Sequence, residues 1–271
     1  MAGFGKQKNS KKNKSQPNTQ TRGEALLKSA VDHHTRGDLK SAERDYRKAI
    51  DCGYSHYGIF SNLGILCKSS GRAKEAILLY KKAIEINPND SGAHNNLANL
   101  YFMLGKFEDA VTFSSKSIKL NPNNHDALTT LGWSHKELGN LDQALASTLK
   151  SLELKPDNAT AQMNLGGIYK DLGNLDQALT STLKSLELKP DNPAAVNNIN
   201  NFIDKLILNP SNSHNITRAY ELLLNQKDVS HRKLCKIFLQ VFLPTIQQAS
   251  ISAPIICDGN ESLKRLAADW R

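Results

Sequence analysis

Four asparagines, Asn62, Asn96, Asn164 and Asn198, stand at multiples of 34 residues from one another. The same spacing places Thr130 between the second and third of them and Lys28 ahead of the first. A carboxamide carries two N–H donors and one carbonyl acceptor, the complement of a peptide group. A row of carboxamides can therefore hold an extended main chain with little regard to its sequence. Thr130 brings a hydroxyl in place of an amide and interrupts such a row. Asn99 lies three residues after Asn96, and Trp133 takes the matching position 34 residues later. Phe102 shares a further position of the period with Lys68, Lys136 and Lys170. Aromatic side chains in a concave surface are natural binding anchors, and packing against a neighbouring helix is the alternative for both Trp133 and Phe102. The lysines give one rim of the surface a positive charge or form an ordinary solvated helix face.

A fixed period has to be read before any single residue, because it decides the fold. The 20 residues Gly139 to Asn158 return as Gly173 to Asn192 with one change, Ala146 to Thr180. Extended outward, the period gives five units, 23–56, 57–90, 91–124, 125–158 and 159–192. Each reads as two short helices. The glycines at 37, 71, 105, 139 and 173 suit a left-handed residue just past the end of the first helix. Pro88, Pro122, Pro156 and Pro190 cannot continue the second. Small residues such as Ala42, Ala76, Ala110, Ala144 and Ala178 let the helices approach closely. The apolar stripe of the second helices is expected from Leu78, Leu79, Tyr80 and Ile84, and from Leu145, Leu149, Leu152 and Leu154. One such pair cannot bury its apolar face alone, so neighbours must stack and bring the asparagines into a row.

This pattern resembles the tetratricopeptide repeat, over 23–192 and part of 193–208. The resemblance implies an all-α solenoid, a right-handed superhelix whose first helices line the concave side. It also implies a non-enzymatic scaffold that binds a protein or peptide in that groove. The groove residues would be Asn62, Asn96, Asn99, Phe102, Thr130, Trp133, Asn164 and Asn198. The row is similar to the asparagine ladder of the protein O-linked N-acetylglucosamine transferases. Chaperone-docking members instead use a basic clamp that this chain lacks, so a chaperone tail is not the expected ligand. The basic start, the near-identical LDQAL…LELKPDN units and the LLLNQKDVSHRKL segment look like a group of cyanobacterial repeat proteins often fused to transferase domains. The alternative function is thus a substrate-recruiting or shortened relative of a glycosyl- or methyltransferase.

The flanks differ from the repeats. Residues 1–22 hold six of the chain's cations and no acid, against a net charge of +9, and read as a disordered basic tail. That tail lacks the interleaved aromatics that would stack bases, which leaves nucleic-acid association as a weaker reading. Asn192 reads as an N-cap with Pro193 at the first helical position, opening a capping helix over 193–208. Residues 209–271 read as a helical extension, with helices at 216–226, about 230–243 and 261–270. The apolar run 237–243 either covers the end of the last unit, which favours a monomer, or offers a dimer surface. His33 and His34 are adjacent and point apart on a helix, a poor metal pair. No GxSxG, HExxH or glycine-rich phosphate loop is present, so no catalysis, cofactor or metal is expected. No apolar run reaches membrane-spanning length, and four cysteines without a CxxC pair suit reduced thiols in a cytoplasmic protein.

Overall fold

The computed structural model describes residues 18–206. The described residues form eleven helices and no strand. They are α1 (Thr19–Thr35), α2 (Leu39–Asp51), α3 (Tyr57–Ser69), α4 (Ala73–Ile86), α5 (Ser91–Met103) and α6 (Phe107–Leu120). There follow α7 (His125–Glu137), α8 (Leu141–Leu154), α9 (Ala159–Asp171), α10 (Leu175–Leu188) and α11 (Pro193–Leu206). The chain divides after Thr130 into two compact units. In the first, α1 packs on α2, α3 on α4 and α5 on α6 as antiparallel hairpins, with α2 against α3 and α4 against α5. In the second, α9 packs on α10, with α8 against α9 and α11 against both α10 and α9. The expected helices of 209–271, and most of the basic tail, lie outside the described residues.

The turn that closes each hairpin follows from one glycine. Gly71 adopts φ +77°, the left-handed region that side chains disfavour. There its N–H donates to the Lys68 carbonyl while the next N–H, of Arg72, reaches back to Cys67. These two bonds satisfy carbonyls that the end of α3 would otherwise leave open. Gly37, Gly105, Gly139 and Gly173 repeat the arrangement.

The second helices bury one stripe each. In α4 this is Ala76, Tyr80 and Ala83, and in α8 Ala144, Thr148 and Ser151. That stripe corrects part of the expected core. Leu78 is 69 % exposed, and Leu149 and Leu154 are exposed as well. At 3.6 residues per turn a residue two places from Ala76 points to the opposite side of the helix. The first unit's core is built instead on Tyr46, Tyr80, Ile59, Leu63, Leu97 and Leu100, all essentially fully buried. In the third and fifth repeats the small residue of the second helix also carries a hydrogen bond. Ser117 Oγ donates to the Ser91 carbonyl and accepts from the Asn124 amide, and Ser185 does the same with Ala159 and Asn192.

The first repeat starts earlier than expected. Asn18 caps α1 through the Gln20 N–H, so the helix runs from Thr19, inside the segment read as tail. This repeat has Tyr54 where later ones have proline, and the Tyr54 ring lies on Gly23, where any side chain would overlap it. Asn192 caps α11 as expected, accepting from the Ala195 N–H at 3.4 Å.

Two arginines tie α2 to α4. Arg72 holds both oxygens of Glu43 at 2.7 Å, and Arg47 bonds Glu43 at 2.8 Å and Glu75 at 2.6 Å. The Arg72 hydrogen bonds hold the Glu43 carboxyl down to about 2 against the opposing effect of burial. Cys67 lies beside this network, and burial pushes its thiol up to about 11, which leaves it protonated at neutral pH. Among the described residues no helix is long and apolar enough to cross a membrane.

Candidate peptide-binding face

Helices α3 and α5 are the first helices of adjacent repeats and touch each other. On α5, Gly92, Asn96, Asn99 and Met103 succeed one another at spacings of three and four, so they share one face. None of the four is buried. On α3 the neighbouring positions are Asn62 and Lys68, both half-buried. Lys68 Nζ donates to Asn99 Oδ1 at 3.2 Å and has no carboxylate within ion-pair distance among the described residues. Burial pushes the Lys68 ammonium below the usual lysine range. The sequences of α3 and α5 contain no Asp or Glu at all.

The expected asparagine row does not present all its members alike. Asn164 is 1 % exposed, and its amide donates to Thr148 Oγ1 of α8 at 3.0 Å. Its Oδ1 is enclosed without a hydrogen-bond partner. Thr130 is 6 % exposed, and its hydroxyl donates to the Asp126 carbonyl one turn back. Asn62 reaches the hydroxyl of Tyr46 on α2. At Asn62 and Asn164, then, the row's amide bonds the second helix of the preceding repeat. Thr130 and Asn164 have no surface left for a ligand, which corrects the expectation of an accessible row. Asn96, Asn99 and Asn198 keep part of their surface. Phe102 packs against Phe107 at 5.6 Å between ring centres and lies against the first unit's core, so packing accounts for it. Trp133 is half-buried on α7.

The second unit treats its lysine differently. Lys136 Nζ lies 3.1 Å from Glu137 and 3.3 Å from Asp171, and Asp171 also meets Lys170 at 3.4 Å. Burial opposes the Lys136 charge, but Glu137 and Asp171 outweigh it and raise the ammonium above its ordinary range. Gly167 gives the lysine stem room, because a side chain there would press on Lys136 Cε.

The sequence reading missed the pairing of these lysines and a second polar cluster on α1 and α2. There His33 lies 3.5 Å from Asp38 and 3.7 Å from Asp45, and Asp45 accepts from Ser29 at 2.8 Å. Serine, aspartate and histidine in the first repeat were the available signal. Among the described residues no group of three His, Cys, Asp or Glu side chains is placed to hold a metal ion.

Three sequence profiles described as tetratricopeptide repeat match the chain, over residues 57–90, 79–112 and 129–193. Among solved structures, MamA is similar at 24 % identity and a TM-score of 0.54, covering 62 % of this chain and 92 % of its own. MamA from Desulfovibrio magneticus RS-1 is similar at 16 % identity and a TM-score of 0.57, covering 64 % and 97 %. YrrB, a tetratricopeptide-repeat protein with an unusual peptide-binding site, is similar at 23 % identity and a TM-score of 0.53, covering 64 % and 89 %. At these identities the likeness is one of fold. No curated protein matches the chain.

Proposed function

Because the chain is an array of tetratricopeptide repeats, we propose that it is a non-catalytic scaffold that binds a peptide segment on the face formed by α3 and α5. The observation that carries this reading is the α5 stripe. Asn96 and Asn99 stand half-exposed one turn apart, and Lys68 engages only the Asn99 carbonyl oxygen, which leaves the amide N–H groups of that residue for a ligand. Amides in that state meet the main chain of a ligand without first breaking an internal bond. The stacked helices are already ordered, so little entropy is lost when a peptide docks. YrrB, of like fold, has a peptide-binding site, which supports the same use of the scaffold here. The transferase-linked alternative rests on the sequence resemblance alone.

The test is selection from a random twelve-residue peptide library displayed on phage, with the whole chain as bait. The double variant N96A/N99A is the comparison, after circular dichroism shows it folded. Enriched peptides are expected to bind the variant at least tenfold more weakly, since two or more hydrogen bonds are lost. Equal binding to both proteins would overturn the reading.

A further inference from the structure

The repeat register sets Lys68 and Lys136 at the same place in their units, 68 residues apart. Around Lys136 two carboxylates come from one register position, Glu137 on its own helix and Asp171 on the first helix of the next repeat. Around Lys68 those two positions are filled by Ser69 and Met103. The second unit therefore displays what this lysine position accepts, namely a carboxylate approaching from the neighbouring repeat. The first unit has the lysine and not the carboxylate. Its ammonium spends one N–H on Asn99 Oδ1, which leaves two further N–H groups and the Asn99 amide N–H groups as donors. No acid on α3 or α5 competes for them. Met103, 64 % exposed one turn beyond Asn99, supplies an apolar surface beside the charge.

We infer that the α3–α5 face selects acidic peptides. An Asp or Glu side chain of the partner pairs with Lys68 and the Asn99 amide, in the place that Asp171 takes beside Lys136, and a neighbouring apolar side chain lies on Met103. The inference rests on the peptide-binding reading above and narrows it to a class of ligand. A half-buried cation without a counter-ion stays partly desolvated until a ligand arrives, so a carboxylate meets less competition from water there than on an open surface.

The same phage library tests it, through the composition of the peptides recovered on the whole chain. Enrichment of Asp or Glu next to an apolar residue is expected. A synthetic peptide of the enriched sequence, blocked at both ends, should bind roughly tenfold more weakly to K68M than to wild type. Its Asp→Asn or Glu→Gln form should bind wild type equally weakly. K116M, which removes one charge from the exposed face of α6, controls for a general loss of positive charge and should bind as wild type does. The charge-reversed K68E, scored by its folded circular dichroism spectrum, should turn the enrichment toward Lys and Arg. Recovery of neutral or basic peptides on wild type, or full affinity in K68M, would sink the inference and leave the peptide-binding reading standing. Recovery of no peptide above background would overturn both.

Discussion

Lys68 and Lys136 are the same residue at the same point of two different repeats, yet Lys136 is paired with carboxylates inside the protein and Lys68 is not. The difference lies in a single register position, which holds Ser69 and Met103 in the first unit and Glu137 and Asp171 in the second. In the first unit Asp90 caps α5 through the Gly92 N–H and accepts from Ser61 of α3. Glu43 and Glu75 lie on α2 and α4, bound to Arg47 and Arg72, away from the α3–α5 face. The second unit puts acids on its first helices and closes the corresponding site with them. A repeat fold can thus hold its backbone constant, through the glycine turns and the buried alanine stripe, and vary the electrostatics of each first helix independently.

The largest expected effect comes from making the first unit resemble the second. The double substitution S69E/M103D places carboxylates at the two positions that neutralise Lys136. Lys68 should then pair internally, and affinity for an acidic peptide should fall by more than tenfold, as measured by fluorescence anisotropy. Both positions are exposed, so the fold should persist and thermal unfolding should change little. Undiminished affinity in a folded S69E/M103D would show that the two lysines do not differ for the reason given.

A smaller effect separates the first unit's ion network from its binding face. E43Q removes the carboxylate that Arg72 grips with two hydrogen bonds and should destabilise the protein by about 1 kcal/mol, since these side chains remain partly solvated. Glu43 titrates lower in the folded chain, at about 2, than in the unfolded chain. Its contribution is therefore complete above the unfolded value, near 4.3, and is lost as pH falls toward 2. Urea unfolding of wild type and E43Q at pH 7 and pH 2.5 should show the gap between them narrowing with acid. Peptide affinity at pH 7 should be unchanged, and a matching loss of affinity would mean that the network shapes the face.

The features legible in the sequence were those set by local chemistry. Five glycines 34 residues apart fix five left-handed turns, and Asn192-Pro193 fixes the start of α11. What a side chain meets across the stack was not legible. Helices α8 and α10 differ at one residue, yet Leu149 is 39 % exposed and Leu183 only 3 %. Burial there is decided by neighbours that no single-helix pattern encodes. The same holds for the asparagine row, where Asn164 meets a threonine on the preceding helix and disappears from the surface while Asn96 does not. The lysine contrast was written in the sequence as Ser69 and Met103 against Glu137 and Asp171. Reading it required knowing that a lysine at one repeat's position reaches the following position of the next repeat, which only the packed helices reveal.

The smallest effect bears on why Lys68 is there at all. Burial lowers its ammonium from the usual range, so the folded chain binds that proton less tightly than the unfolded chain does. At neutral pH the charged lysine is then a cost to folding, and the cost is relieved only as pH rises past the folded value toward the unfolded one. For Lys136 the direction is reversed, and its charge contributes to stability until pH rises through its raised folded value. K68M should accordingly melt at or slightly above wild type at pH 7, whereas K136M should melt below it, in paired calorimetric scans. A K68M protein that melts well below wild type would place Lys68 among the residues that hold the stack together and would remove the main contrast between the two units.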